Sequence, residues 1–134
     1  MIVVDSNVIA YCWVNGPLTA LAQRVRVQEP DWHVPILWRS EMRSILTGYL
    51  RDGSLTGPQV ARIMAAAESA LAGSEHLVPS AVVFDFAGRS RLSACDCEFV
   101  ALASVLAVPL VTADRAVLKA FPQTAATMET YLRV

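Results

Sequence analysis

The feature that most constrains the fold is a series of short apolar segments separated by longer segments with helical spacing. Residues 1–4 are apolar and, after Met1, β-branched, which is typical of a strand covered on both faces in a parallel sheet. Further short strands are predicted at residues 32–36, 76–78, 108–112 and 126–128. Strands that alternate with helices predict the α/β class, with a mainly parallel sheet and right-handed crossovers.

Helices are predicted where apolar residues recur every three or four positions, or where proline and glycine bracket an alanine-rich segment. The predicted helices are residues 17–28, 37–50, 58–73, 80–91, 94–107 and 114–121, followed by a last strand and a short C-terminal turn. The chain has 134 residues, of which 54% are hydrophobic. We therefore predict a single domain, residues 1–134, that buries its core without disulfides.

Four carboxylates adjoin these apolar segments. Asp5 and Asp114 follow two of the predicted strands, whereas Glu41 and Asp96 lie on predicted helices beside apolar side chains. In parallel α/β sheets the ligand crevice lies beyond the carboxyl ends of the central strands, where Asp5 and Asp114 would both emerge. A buried charge needs a compensating partner, so converging carboxylates predict a bound divalent cation.

Each of these acids also has a purely structural explanation. Asp114 is placed to cap the helix that follows it, and Asp5 is placed to cap the turn after the first strand. Asp96 stands three residues after a serine, as in a capping box, and Glu41 could be a partly exposed helical residue. The metal interpretation is favoured because four separate explanations would otherwise have to coincide at one edge of one sheet.

Helical spacing refines the position of Asp96. On the predicted helix 94–107 it is aligned with the apolar Phe99, Val100 and Ala103, whereas Glu98 projects in another direction. Asp96 is therefore the acid of this helix that we expect at the site.

Four clustered acids would repel one another and raise one another's pKa values unless cations neutralise them. Oxygen ligands select Mg²⁺ or Mn²⁺ over zinc or copper. Such ions activate water and stabilise the charge that builds on a phosphoryl group, so phosphodiester hydrolysis is the predicted reaction class. The sequence has no dinucleotide-binding, phosphate-loop or serine-elbow motif to support another chemistry.

The overall charge hides an asymmetry. The formal net charge is −1, which by itself gives no footprint for nucleic acid. Setting the four clustered acids aside leaves eight acidic residues against 11 basic ones, of which 10 are arginine. Arginine suits bidentate contacts with phosphate, although any single arginine is more readily explained as a solvated surface residue.

The cysteines indicate a reducing compartment. Cys12, Cys95 and Cys97 are an odd number without paired spacing, which argues against a disulfide framework and against a zinc site, and favours small buried thiols. No apolar stretch approaches the roughly 18 to 20 residues that span a bilayer. The N-terminus resembles a strand more than a signal peptide. We expect a cytoplasmic protein without a membrane partner.

The chain resembles the PIN-domain nucleases, and in particular the VapC-type toxins of bacterial toxin–antitoxin pairs. The resemblance covers essentially the whole length and depends on an ordered set of motifs. These are D-S-N-V at residues 5–8, S-E at 40–41, S-x-x-D followed by F-V-A-L-A within 93–103, and V-T-A-D at 111–114.

This resemblance implies a fold, an activity and partners. The fold would be a three-layer α/β/α sandwich around a central parallel sheet. The activity would be that of an endoribonuclease dependent on Mg²⁺ or Mn²⁺. The partners would be an RNA substrate, a second copy in a homodimer, and a cognate VapB-type antitoxin whose C-terminal segment blocks the active site.

The resemblance also assigns roles to residues. Those that match the family's acidic metal-binding positions are Asp5, Glu41, Asp96 and Asp114. We expect Asp5 and Asp96 to bind metal directly, Asp114 to complete the ligand set or hold a second ion, and Glu41 to act through water.

Polar neighbours of these acids have supporting roles in this prediction. Asn7 and Thr112 match polar residues that support the acids, and Ser6 either contacts metal-bound water or phosphate or forms a plain turn. Arg115 is a candidate contact for phosphate or for an antitoxin carboxylate. Ala116 stands where some relatives carry a further acid, which leaves one or two metal ions possible.

Two other functions stay open at this point. The same fold would serve a housekeeping RNA-processing nuclease without an antitoxin. A catalytically silent module that binds RNA or protein would also keep the fold, but it would have no need to maintain four repelling charges.

Overall fold

A computed structural model describes residues 1–133 of the chain as five parallel strands and eight helices. The strands are β1 (Ile2–Val4), β2 (Trp32–Pro35), β3 (Glu75–His76), β4 (Leu110–Val111) and β5 (Ala125–Ala126). The helices are α1 (Ser6–Trp13), α2 (Thr19–Gln28), α3 (Trp38–Arg51), α4 (Gly57–Leu71), α5 (Ser80–Gly88), α6 (Ala94–Leu106), α7 (Arg115–Ala120) and α8 (Met128–Leu132).

The sheet is wound in two directions from its centre. Its strand order is β3-β2-β1-β4-β5, and every pairing is parallel. From β1 the chain steps through β2 to β3 at one edge, and then returns to β4 and β5 on the other side. In parallel sheets of this kind, right-handed crossovers place the connecting helices of the two halves on opposite faces. Accordingly, α1 contacts α2, α3 and α4, whereas α5 packs against α6.

The core lies on both faces of β1. Ile2, Val3 and Val4 are at most 1% exposed, because helices cover both sides of this central strand. Trp38 on α3 and Phe99 on α6 are the two largest fully buried side chains. A parallel strand buried in this way fixes the chain that leaves its carboxyl end.

Most of the predicted elements are confirmed, with boundaries that shift by a few residues. Helix α1 has no counterpart among the predicted helices: five of its eight residues are buried, so no polar face marks it as a helix. The strand predicted at 126–128 is wrong in extent, because β5 ends at Ala126 and Met128 begins α8. The expectation that all the thiols are buried is wrong for Cys95, which is exposed.

No helix within residues 1–133 is long and apolar enough to cross a membrane.

A pair of histidines joins the edge strand β3 to β2. His33 Nδ1 lies 2.8 Å from His76 Nε2, and His33 Nε2 lies 2.8 Å from Asp31 Oδ1. This series of hydrogen bonds accommodates two neutral imidazole rings, with His76 donating to His33 and His33 donating to Asp31. If both rings were protonated, two N–H groups would face each other. The pKa of His76 is lowered, first by burial and then by the charge of His33.

The lowered pKa of His76 predicts a loss of stability in acid. The unfolded chain takes up this proton at a higher pH than the folded protein, so stability falls as the pH drops through the ordinary histidine range. Urea unfolding at pH 7.5 and pH 5.5 should show a larger loss for the wild type than for His76→Gln. Equal losses in the two proteins would refute this assignment.

Candidate functional site

The ends of β1 and β4 are joined by hydrogen bonds. The Asp5 backbone N–H donates to the Val111 carbonyl at 3.0 Å. The Thr112 hydroxyl donates to Asp5 Oδ2 at 2.7 Å and accepts from the Asp114 backbone N–H at 3.0 Å. Thr112 is fully buried. One hydroxyl group therefore links two acids that are 109 positions apart in the chain.

Both of these aspartates also cap helices, as the structural explanation predicts. Asp5 Oδ1 accepts from the Ser6 backbone N–H at 2.7 Å and starts α1. Asp114 Oδ1 accepts from the N–H groups of Ala116 and Val117 and starts α7. Capping by Asp114 uses Oδ1, and within residues 1–133 Oδ2 accepts no hydrogen bond, which leaves it available to a ligand.

Asn7 fixes the loop that carries Asp114. Its Oδ1 accepts from the Ala113 backbone N–H at 3.2 Å, which ties the first turn of α1 to the segment after β4. The side-chain amide is thereby oriented, and its NH₂ group points away from this bond.

Glu41 reaches the site from the first turn of α3. Its Oε1 accepts from the Ser6 hydroxyl at 2.7 Å, and Ser6 is 4% exposed. The start of α3 is held in place by Arg39, which binds Glu75 through two nitrogens and Glu68 through a third. These contacts join α3 to β3 and α4, so the position of Glu41 is set by the fold.

Asp96 lies in the first turn of α6, where the Ser93 hydroxyl accepts from its backbone N–H at 3.1 Å. This is half of a capping box. The reciprocal bond, in which the Ser93 backbone N–H would donate to the Asp96 carboxylate, is not formed within residues 1–133, so the carboxylate is not committed to capping.

The four predicted acids line one open pocket of about 340 Å³. Ser6 and Asn7 also line it, together with two residues of α3 that the sequence analysis did not single out, Ser44 and Ile45. Both stand one helical turn after Glu41, a spacing that predicts their placement on the same face once Glu41 is assigned to the site. The structure thus brings the four predicted acids together with Ser6 and Asn7, while their catalytic roles stay predictions.

Burial and mutual repulsion raise two of the carboxyl pKa values. The pKa of Asp5 is raised, mainly by burial and also by Asp96 and Asp114, while bonds from Thr112 and Ser6 work in the opposite direction. The pKa of Glu41 is likewise raised by burial and by the charges of Asp5, Asp96 and Glu98. In both cases, ionisation opposes folding.

Glu98 is closer to the site than its predicted direction indicates. It does not line the acid pocket, but it is close enough to raise the pKa of Glu41, and burial raises its own pKa. The predicted direction of Glu98 agrees with its absence from the pocket lining, while its charge still acts on Glu41.

The donor set suits a hard divalent cation in its chemistry. Carboxylate and hydroxyl oxygens surround the pocket, and these are the ligands of Mg²⁺ and Mn²⁺. Within residues 1–133, however, no three His, Cys, Asp or Glu side chains form a ready-made cage for a metal ion. The residues fit such an ion by type and by shared pocket, and binding would require their side chains to turn towards it.

Arg115 is exposed at the start of α7, directly after Asp114. It does not line the acid pocket, and within the described residues it forms no ion pair. Its predicted contact with phosphate or with an antitoxin stays a prediction.

Comparison with known proteins finds similarity at the level of structure. No protein-family model matches the sequence, and no curated protein matches it. A chain in the crystal structure of FitAcB from Neisseria gonorrhoeae superposes with a TM-score of 0.76 at 16% sequence identity. The match covers 96% of this chain and 99% of that chain. The chain has a PIN-like fold. This confirms the fold predicted from the sequence motifs; at such low identity, the likeness concerns the fold alone.

The link through Thr112 predicts a specific cost. Thr112→Val keeps the shape of the side chain but leaves the Asp114 N–H and one Asp5 oxygen without their partner. Urea unfolding should therefore show a loss of about 1–3 kcal/mol.

Thr47→Val is the matched control, because the Thr47 hydroxyl only bonds a carbonyl of its own helix, that of Arg43. The control should change stability by less than about 0.5 kcal/mol. Equal effects of the two substitutions would show that Thr112 does not organise the site.

Proposed function

We propose that this protein is a metal-dependent endoribonuclease that acts as the toxin of a type II toxin–antitoxin pair. The observation that carries the proposal is the placement of four carboxylates around one pocket, at the carboxyl ends of the central strands. Two of them, Asp5 and Asp114, follow the neighbouring strands β1 and β4, whose connections lead to opposite sides of the sheet. Open α/β sheets bind ligands at such a point.

Mg²⁺ or Mn²⁺ would be held directly by Asp5, Asp96 and Asp114. When bound, such an ion lowers the pKa of water and neutralises negative charge on a phosphoryl group. Thr112 and Ser6 would hold the carboxylates of Asp5 and Glu41 in orientation through the bonds described above.

We assign to Glu41 the role of accepting a proton from the attacking water. Its Oε1 is engaged by Ser6, which leaves Oε2 for the water, and its raised pKa brings it closer to the working pH. Asp5 and Asp96 act as metal ligands in this assignment, so the roles of the acids differ.

RNA as the substrate rests on the resemblance to PIN-domain nucleases. The acid pocket itself is open and therefore accessible to a chain as well as to a small molecule. Apart from the four clustered acids, the chain carries 11 basic residues against eight acidic ones, an excess that would help an acidic site to meet a polyanion.

The partners rest on the same resemblance, and the location rests on the sequence analysis above. We expect a cognate VapB-type antitoxin whose C-terminal segment blocks the acid pocket, a homodimer, and action in the cytoplasm. One chain has a mass of 14.5 kDa, so light scattering of the purified protein would distinguish a dimer from a monomer.

The housekeeping nuclease is the main alternative and shares the chemistry of the site. Gene neighbourhood distinguishes the two, because a toxin should have a short antitoxin frame immediately upstream. A silent binding module is the other alternative. The raised pKa values of Asp5 and Glu41 argue against it, since a module without a cation would keep a cost to stability and gain nothing from it.

The nuclease proposal predicts two coupled losses in Asp96→Asn. Removing one ligand charge should lower Mn²⁺-dependent cleavage of RNA at least about 100-fold, the scale of a positioned catalytic group. It should also reduce the rise in Tm that Mn²⁺ causes, because a ligand of the folded state stabilises it in proportion to its occupancy.

Asp85→Asn is the matched control, since Asp85 is an exposed aspartate paired with Arg89 on α5. It should cut RNA and respond to Mn²⁺ as the wild type does. Wild-type cleavage by Asp96→Asn, or an unchanged response of its Tm, would contradict the proposal.

A further inference from the structure

A second, larger pocket lies beside the acid pocket. It has a volume of about 630 Å³ and lies between α1, α3 and the segments that follow each of them. We propose that this neutral pocket binds one unstacked nucleobase of a single-stranded RNA, next to the phosphate held at the acid pocket. This proposal rests on the proposed function and names the part of the RNA that the protein recognises, a single base. Six of the residues that line it are Asn7, Tyr11, Asn15, Ile45, Tyr49 and Leu55.

The two pockets are continuous, because Asn7 and Ile45 line both of them. Tyr11 stands one helical turn after Asn7 on α1, and Tyr49 stands two turns after Glu41 on α3. With a rise of about 5.4 Å per turn, Tyr11 lies about one turn along α1 from Asn7, and Tyr49 lies about 11 Å along α3 from Glu41. An RNA chain with one phosphate in the acid pocket must place an adjoining nucleotide in the neutral pocket or leave that nucleotide in solvent.

The lining suits a base and not a phosphate. Within the described chain, no charged side chain lines the neutral pocket, in contrast to the acid pocket beside it. Tyr11 and Tyr49 offer aromatic faces, on which bases of single-stranded nucleic acids stack. The NH₂ group of Asn7 and the amide of Asn15 can meet the polar edge of a base. Sequence-specific proteins read single-stranded RNA in this way, through splayed bases.

The amide groups of the lining favour a base over a protein segment. An apolar side chain of an antitoxin segment that blocks the acid pocket could also reach the neutral pocket through the shared wall, but it would offer no partner to the amides of Asn7 and Asn15. A nucleotide next to the bond that is cut would place the polar edge of its base against those amides. We therefore assign the pocket to RNA, and the test below includes a peptide as an outcome.

Tyr49 is the residue to change, because it is 37% exposed and its truncation leaves the core intact. Asn15→Ala tests the polar contact separately. Phe84→Ala is the matched control, since Phe84 is an exposed aromatic residue on α5, 68% exposed, which does not line the neutral pocket.

Binding is measured in the Asp5→Asn background, in which RNA should stay intact. The probes are four fluorescent nine-nucleotide single-stranded RNAs that differ only in their central base, and the readout is anisotropy. Asp5→Asn should prefer one base. Adding Tyr49→Ala should weaken binding of the preferred RNA roughly 5- to 150-fold and flatten the preference. Adding Asn15→Ala should flatten it as well, and adding Phe84→Ala should change nothing.

Equal binding of all four RNAs with and without Tyr49 would overturn the base pocket. It would also be overturned if Tyr49→Ala left RNA binding intact but abolished co-purification with the protein encoded immediately upstream, because the pocket would then dock a protein.

Wild-type cleavage of total RNA with Mn²⁺, followed by mapping of the ends, separates this proposal from the proposed function. Cleavage by both the wild type and Tyr49→Ala at the same sites would leave the nuclease standing and remove the base pocket. No cleavage by the wild type, together with RNA binding that depends on Tyr49, would support the base pocket and contradict the nuclease proposal.

Discussion

The parallel pairing of β1 with β4 determines where the acid pocket lies. The two strands are neighbours, but the connection after β1 leads to β2 on one side and the connection after β4 leads to β5 on the other side. The two connections therefore diverge, which opens a crevice at the carboxyl ends of β1 and β4. Asp5 and Thr112 meet in that crevice through a 2.7 Å hydrogen bond. The Asp5 carboxylate is thereby held partly buried, accepting bonds from Thr112 and Ser6, and the other acids are arranged around it.

This arrangement places a cost on the folded state that a cation would remove. Burial and neighbouring carboxylates raise the pKa values of Asp5 and Glu41, so their ionised forms destabilise the metal-free protein near neutral pH. The fold offsets the cost with a buried core on both faces of β1 and with the Arg39 contacts at the start of α3. In the proposed function, a bound divalent cation would offset this cost of burial and repulsion.

Much of this site can be predicted from the sequence, because Asp5 and Asp114 follow strands and the rule for parallel sheets brings strand ends together. What the sequence does not reveal depends on how helices approach one another. The Ser6–Glu41 bond needs α1 and α3 side by side, and α1 is too fully buried for its periodicity to show. Strand β5 has two residues, too few for any pattern. The neutral pocket combines residues from separate segments, and no spacing along the chain marks it.

A crystal of the protein soaked in Mn²⁺ tests the central claim most directly, since manganese is located by its anomalous scattering. The account predicts an anomalous peak in the acid pocket, with oxygens of Asp5 and Asp96 among its ligands, and its loss in crystals of Asp96→Asn. An acid pocket that stays without a peak at millimolar Mn²⁺, or a peak only at His33 and His76, would contradict the account.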